Sequence, residues 1–257
     1  MEDDDRFAHA LATDAADRLV RAQDQAIAGG RGGWWLEDHG DSLAHDYLVD
    51  ELRRARPTDG LLSEEGHDDG DRVGMRRAWI VDPLDGSNGF GSGNAEWAVH
   101  VGLAVDGEAL VGAVAVPGIG ITASTHDVPE VPDRTNRRPV VITGRSRIRS
   151  DGQFLAGALD ADLTACSSAG VKAVLVAIGK ADVYVHDAPL YEWDVCAPVA
   201  VALAAGLDAC GTDGSTIQFN KDTPVVNSLV ICRPEFTADV VHALQSRSSM
   251  AAQRDDH

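Results

Sequence analysis

The stretch WIVDPLDGSNGF, Trp79 to Phe90, carries an apolar run into two aspartates, Asp82 and Asp85, with a proline and a leucine between them and a glycine and a serine behind. A second acidic pair, Glu64 and Glu65, closes the shorter apolar run of GLLSEE. If the two runs are neighbouring strands, three or four carboxylates converge at one edge of a sheet. Carboxylates that close raise one another's pKa, and a hard divalent cation relieves the repulsion. An all-oxygen donor set suits Mg²⁺, which keeps water and phosphate oxygens in its shell. The Leu84 carbonyl lies between the aspartates as a further oxygen donor, and Gly86 permits close backbone approach. A helix starting near Ser87 would aim free N–H groups at a phosphate. The stretch reads as a corner for metal and phosphate, or else as a solvated turn, because D-P-L-D-G is good turn chemistry. Further along, EWDVCAPVAVALAAGL places Asp194 at the start of an Ala-rich helix, either as a first-turn acid or as one more ligand.

The elements that must position these acids follow from periodicity. Phe7, Leu11, Ala15, Leu19 and Ala22 share one side of a helix from Asp3 to about Ala28, which the glycines of Gly29-Gly30-Arg31-Gly32-Gly33 end. Leu43, Tyr47, Leu48 and Leu52 predict a second helix, with Asp41 and Ser42 as caps at its start and its end before Pro57. HDDGDRVGMRR reads as a polar, mobile loop. AWIVD is a strand, and WAVHVGLAVDGEALVGAVAVP alternates around Asp106-Gly107, a hairpin signal. The Pro-rich DVPEVPDRTNRRP is the expected seam, dividing a metal-binding subdomain over 1–135 from one over 136–257 that completes the site. Beyond it come a strand (VVITG), helices over roughly 150–159 and 168–178, a strand (ADVYVH), the Asp194 helix, a strand (VNSLVIC) and a last helix from Pro234 to Gln245. Strands and helices alternate while the hairpin makes the pairing mixed, so the expected class is layered α/β with mixed sheets.

Composition narrows the partners. The 257 residues carry a net charge of −19, which argues against a nucleic-acid polymer. A small phosphorylated substrate needs only local cations. No apolar stretch approaches the roughly 18 residues of a membrane span, and Met1-Glu2-Asp3-Asp4-Asp5 is the reverse of a basic secretory start. The expectation is a cytoplasmic protein with no membrane partner. The four cysteines show no CxxC spacing and read as free, packed thiols.

SEE, WIVDPLDGSNGF and EWDVCAPVAVALAAG together resemble the motifs of the inositol monophosphatase superfamily of Mg²⁺-dependent phosphatases, and the resemblance runs from Asp41 to the last helix. ITGRSR, SSAGVK and YEWD resemble the CysQ branch, the 3′(2′),5′-bisphosphate nucleotidases that hydrolyse 3′-phosphoadenosine 5′-phosphate to AMP. The resemblance implies an αβαβα sandwich, two or three Mg²⁺ ions and a homodimer. It implies Glu64 as a ligand of the first metal, Asp82, the Leu84 carbonyl and Asp85 as shared ligands, and Asp194 as a ligand of the second. Gly86 and Ser87 match its phosphate cradle, and Asp41 with the Ser87 hydroxyl matches the pair that activates the attacking water. Arg145, Arg147 and Lys172 are expected either as the cations for a second phosphate or as surface charge, and Ser168 and Gly170, at an expected helix start, with Glu192, as further substrate contacts. GGWWLEDHGD lacks the lysine and threonine the family carries before Asp41, which leaves Glu37 and Asp38 as substitute ligands or as surface charges.

Other substrates fit the same motifs: inositol phosphates, fructose 1,6-bisphosphate, histidinol phosphate or a nucleotide of a specialised pathway. A non-catalytic protein that binds a phosphorylated ligand is a different class; the retained carboxylates argue against it. HDDGD is too short for an EF-hand. His100 and His186 fall within strands and read as structural.

Overall fold

The computed structural model describes residues 2–255 except 69, 135 and 136. The chain opens with α1 (Glu2–Ala28) and α2 (Trp34–Ala55). The first sheet follows: β1 (Gly60–Ser63), β2 (Arg77–Asp85), β3 (Ala98–Val105), β4 (Glu108–Val116) and β5 (Ile121–Ser124), in that spatial order, with the short α3 (Ser87–Gly91) after β2. β1 and β2 are parallel and the rest antiparallel. The second sheet has the order β10-β12-β8-β6-β7, from β6 (Val140–Thr143), β7 (Asp162–Ala165), β8 (Val183–His186), β10 (Asp208–Cys210) and β12 (Leu229–Cys232). α4 (Gln153–Ala158), α5 (Ala169–Ala177), α6 (Glu192–Ala204) and α7 (Pro234–Asp255) are its helices, and β9 (Leu190–Tyr191) with β11 (Val225–Val226) forms a small ribbon.

Strand alternation sorts the core into three bodies. Trp79, Val81, Val101, Leu103 and Val111 face α1 and α2. Ile80, Val114 and Val116 point the other way and, with Ile142, Tyr184, Leu229 and Ile231 of the second sheet, enclose α5 and α6. Val141, Val183, Val185 and Val230 face α4 and α7. The result is helices, sheet, helices, sheet, helices, with both faces of each sheet covered; this is why the strands read as nearly continuous apolar runs. The Asp106-Gly107 hairpin forms with positive φ at both residues, 53° and 83°, as a tight turn of that kind requires.

Four expectations need correction. α2 begins at Trp34, so Asp41 and Ser42 lie inside the helix and cap nothing. Its buried stripe is Leu36, Gly40, Ala44, Leu48 and Leu52, and Gly40 disguises it. A Cβ at Gly40 would meet the Phe90 ring at 2.6 Å and Leu84 Cδ2 at 2.9 Å, so glycine stands where the ring packs against the helix. The polar stretch after Glu65 is pinned, because Arg72 is 2% exposed and bonded to Asp68 and Asn220. α7 runs ten residues past Gln245, to Asp255. β5 and β7 were not expected as strands, each being only four residues long. The seam expected at 135/136 falls on residues outside those described.

Candidate active site

β1 and β2 pair in parallel with Ser63 beside Val81, so Glu64 comes next to Asp82 at the strand ends, and Glu64 N donates to Val81 O at 3.3 Å. Asp82 and Asp85 are three residues apart, and on a regular strand they would face opposite sides. The register against β3 slips between them, from Asp82 opposite His100 to Asp85 opposite Ala98. This β-bulge, with Pro83 inside it, returns both carboxylates to one side. Asp82 Oδ1 accepts from Leu84 N at 3.0 Å, which tightens the turn.

Asp194 arrives from the other half of the chain, in the first turn of α6. Its Oδ2 accepts from Tyr191 N at 2.8 Å, so it caps the helix and faces the corner at once. Pro198, four residues on, cannot offer the helical N–H that the Asp194 carbonyl would otherwise receive. Asp41, on α2, completes the ring of acids.

The electrostatics record this crowding. Asp82, 1% exposed, is held well above the usual carboxylate range by burial, then by Glu64, Asp85 and Asp194. Asp194 is pushed up to about 7 by burial and then by Asp85. Asp41 is raised to about 7 by burial, then by Glu65, Glu64, Glu37 and Asp38. Glu64 is raised by desolvation, Glu65 and Asp85, against which a bond from Asp82 works. The same contact works the other way on Asp82, which it raises.

Asp85 is the exception, held down at about 2. Burial would raise it, but His100 and Lys172 oppose that, and Ser168 Oγ donates to Asp85 Oδ2 at 2.5 Å. Gly170 N donates to the same oxygen at 2.7 Å, and His100 Nε2 lies 3.2 Å from it. His100 Nδ1 lies 3.2 Å from the Trp193 carbonyl, which can only accept. Burial works against the charged ring, but Asp85 on one side and the Trp193 carbonyl on the other outweigh it and raise the His100 pKa. His100 therefore does more than fill the core. Its sequence signal was a lone histidine in an apolar strand, which is too weak to assign a role. Gly170 is required here, because a Cβ would fall 2.1 Å from His100 Nε2.

Gly86 adopts φ 94°, and a Cβ there would strike the Glu96 carbonyl at 2.6 Å, so Gly86 and Ser87 leave the corner by a turn only glycine makes easily. Glu37 packs on Gly91 beside the corner, whereas Asp38 is exposed.

The remaining expected residues divide. Ser168 and Gly170 spend their polar groups on Asp85, and Ser168 also caps α5 through Val171 N at 3.0 Å. Lys172 is 2% exposed, and its Nζ donates to the carbonyls of Cys166, Ser167 and Ser168 at 3.2, 2.8 and 2.7 Å. An ammonium has three donors, so Lys172 is an internal cation that supports the Asp85 cradle. Glu192 is 0% exposed and accepts from Asn220 N and Lys221 N at 2.7 and 3.1 Å. These four act as supports, since their polar atoms are already engaged. Arg145 is exposed, paired with Glu96, and lines a cavity of about 340 Å³ with Ser146, Tyr184, His186 and Asp194. Arg147 stands close enough to His186 to help depress its pKa to about 4, behind the larger effect of burial.

Among the described residues no three or more such side chains form a finished metal cage. The donor chemistry nevertheless fits a hard cation. Glu64, Asp82, Asp85 and Asp194 offer only oxygens, and their mutual repulsion is what such an ion would remove. No donor among the described residues is bonded to Asp85 Oδ1 or Asp194 Oδ1, so each aspartate keeps one oxygen for the fold and one for a ligand.

A layered α/β sandwich with an acid corner between the ends of β1 and β2 and the first turn of α6 is the arrangement of a metal-dependent phosphatase. Residues 36–249 match the inositol monophosphatase family, and the chain belongs to that family. It is 36% identical over 223 residues to the 3′-phosphoadenosine 5′-phosphate phosphatase of Mycobacterium leprae, covering 78% of this chain and 79% of the relative. It is 29% identical over 198 residues to the 3′(2′),5′-bisphosphate nucleotidase CysQ of Escherichia coli, covering 73% and 80%. The solved CysQ of Bacteroides thetaiotaomicron superposes with a TM-score of 0.74 at 23% identity, over 91% of this chain and 98% of that one. Inositol monophosphatase II of Staphylococcus aureus does so with 0.77 at 19%, over 96% and 98%. The two superpositions speak to the fold alone. No helix among the described residues is long and apolar enough to cross a membrane.

Proposed function

We propose that this protein is a Mg²⁺-dependent phosphomonoester hydrolase acting on 3′(2′),5′-bisphosphate nucleotides, with 3′-phosphoadenosine 5′-phosphate converted to AMP and phosphate. The observation that carries the reading is the gathering of Glu64, Asp82, Asp85 and Asp194 from both halves of the chain, with Asp41 poised near 7 beside them. The names of the relatives at 36% and 29% identity support the nucleotide as substrate.

Glu64, Asp82, the Leu84 carbonyl, Asp85 and Asp194 would hold two Mg²⁺ ions, with Glu37 and Asp38 near any third. Bound there, Mg²⁺ supplies Lewis acidity, neutralising charge on the phosphoryl oxygens and on the departing ribose oxygen. Ser168, Gly170 and His100 keep Asp85 ionised and fixed. Asp41 is partly ionised at neutral pH and accepts a proton as water attacks phosphorus in line. The Ser87 hydroxyl orients that water, and the Gly86–Ser87 turn lets the backbone meet the phosphoryl group. The water oxygen bonds to phosphorus as the ester bond breaks, and the leaving oxygen takes up a proton. The second phosphate and the nucleoside occupy the cavity beside Asp194. Arg145 supplies charge at its rim, and the Tyr184 hydroxyl, buried in its wall with no hydrogen-bond partner among the described residues, is positioned to donate.

The test is phosphate release with Mg²⁺ from 3′-phosphoadenosine 5′-phosphate, 5′-AMP, inositol 1-phosphate, fructose 1,6-bisphosphate and histidinol phosphate. Preference for the bisphosphate nucleotide, lost in Asp82→Asn and Asp194→Asn, is the expected result. Preference for another ester would overturn the substrate, and no hydrolysis by folded protein would overturn the activity.

A further inference from the structure

Glu64 and Asp194 lie on segments far apart in sequence, yet one metal-phosphate assembly must span both. The segment that leaves β1 through Glu64 and Glu65 folds back over Arg72, whose Nη1 donates to Asn220 Oδ1 at 3.0 Å and to the Lys221 carbonyl at 2.9 Å. Asn220 Nδ2 answers by donating to the carbonyls of Arg72 and Met75, at 3.0 and 3.1 Å. The backbone N–H groups of Asn220 and Lys221 then converge on the two oxygens of Glu192, the first residue of α6 and two before Asp194. Arg72 is itself braced by Asp68 Oδ2 at 2.7 Å and packs against Gly60 at the start of β1. A run of hydrogen bonds thus joins Arg72, packed at the start of the strand that ends at Glu64, to the first residue of the Asp194 helix.

We infer that Arg72, Asn220 and Glu192 are positioning residues, a strut that sets the separation between the Glu64 and Asp194 half-sites and so governs divalent-cation affinity. The inference rests on the metal-dependent reading of the site. Three features support it beyond simple loop anchoring. Arg72 and Glu192 are both buried, and Nη1 of the one and both carboxylate oxygens of the other are bonded at this junction. Asn220 holds φ at 58°, a conformation asparagine tolerates better than other side chains, and it uses both ends of its amide across the gap. The four acids of the corner repel one another, so without a brace their segments would spread in the metal-free protein, and the ion would have to pull them together on binding. A preset spacing removes that cost.

Asn220→Gly tests this cleanly. Glycine accepts the positive φ and keeps the N–H bond to Glu192, so the side-chain bonds to Arg72 and Met75 are lost while the bond from Arg72 to the Lys221 carbonyl stays. Mn²⁺ binding to the full-length, metal-free protein, followed by electron paramagnetic resonance of the free ion, gives a readout independent of turnover. The expected result is affinity weakened about tenfold, the scale of one or two lost hydrogen bonds, with kcat at saturating Mg²⁺ within about twofold of wild type and half-saturation shifted in parallel. Glu192→Gln, which breaks the far end, should shift the titration the same way. Asp182→Asn, in a buried cluster away from the corner, serves as the control for stability and should lower the melting temperature without moving the titration. Unchanged Mn²⁺ affinity in Asn220→Gly and Glu192→Gln would overturn the strut while leaving the activity standing. Wild-type protein that binds no Mn²⁺ would overturn the metal-dependent reading itself, and the strut with it.

Discussion

Ser168 donates its hydroxyl to Asp85 Oδ2 at 2.5 Å, across a sequence separation of 83 residues, and so ties the end of β2 to the first turn of α5. The same hydroxyl accepts from Val171 N, so one atom caps a helix and holds a carboxylate ionised. Ser168→Ala removes both. A bond to a charged group and an N-cap together are worth about 2–4 kcal/mol, measurable by urea unfolding at pH 7. Asp85, depressed in the native state, contributes stability above its ordinary value near 3.8 that is lost as pH falls toward about 2. The variant should therefore lose its deficit relative to wild type as the acid limb is approached.

The rest of the corner has the opposite sign. Asp41 and Asp194 rise from 3.8 to about 7 on folding, so between those values the native state binds more protons than the unfolded chain. Stability of the metal-free protein then falls as pH rises through that window, by on the order of 2–4 kcal/mol from pH 5 to pH 8. Mg²⁺ should restore more at pH 8 than at pH 5, because at pH 5 it competes with protons. Thermal melts with EDTA and with Mg²⁺ at both pH values check this.

Asp82→Asn should abolish phosphate release while raising the melting temperature of the metal-free protein at pH 8. An amide mimics the protonated carboxyl that the site already imposes: its oxygen accepts from Leu84 N and its NH₂ donates to Glu64. A destabilised Asp82→Asn in EDTA would refute the shared proton.

Gly170→Ala places a methyl 2.1 Å from His100 Nε2 and 2.9 Å from Val114 Cγ1. Overpacking of this kind costs roughly 1–3 kcal/mol. The ring must yield, and Asp85 loses the neighbouring His100 ring. Nuclear magnetic resonance of the His100 ring should report a lower pKa in the variant, together with weaker Mg²⁺ activation.

Asp182 is fully buried, bonded to Arg137 at 2.7 and 3.0 Å and to Val140 N at 2.8 Å, with Arg233 Nε at 3.1 Å. It fastens the stretch before β6 to the second sheet. Asp182→Ala strands these arginines, and removing one partner of a buried ion pair costs about 3–5 kcal/mol, read as a lower urea midpoint.

Much was legible from local sequence because local physics decides it. Alternation around Asp106-Gly107 meant a hairpin, and the Ala-rich run after Asp194 meant a helix. Acids placed just beyond apolar runs meant carboxylates at strand ends, and the pairing of β1 with β2 brings them together as expected. What spacing could not reveal depends on partners distant in the chain. Asp82 and Asp85 share a side only because β3 pairs with a one-residue slip, which no count along β2 exposes. The expected start of α2 falls seven residues late, at Asp41 rather than Trp34, because Gly40 in its buried stripe is explained only by the Phe90 ring and Leu84 packed against it. Ser168 at an expected helix start, Lys172 as a cation and Glu192 in YEWD read as substrate contacts. Their hydrogen-bonding capacity was already taken by Asp85, by three carbonyls and by the 220–221 backbone. Residue type and order determined which acids and which elements this protein has. Tertiary structure alone decided which polar atoms were left unspent, since a donor can be called available only once every neighbour that might claim it is known.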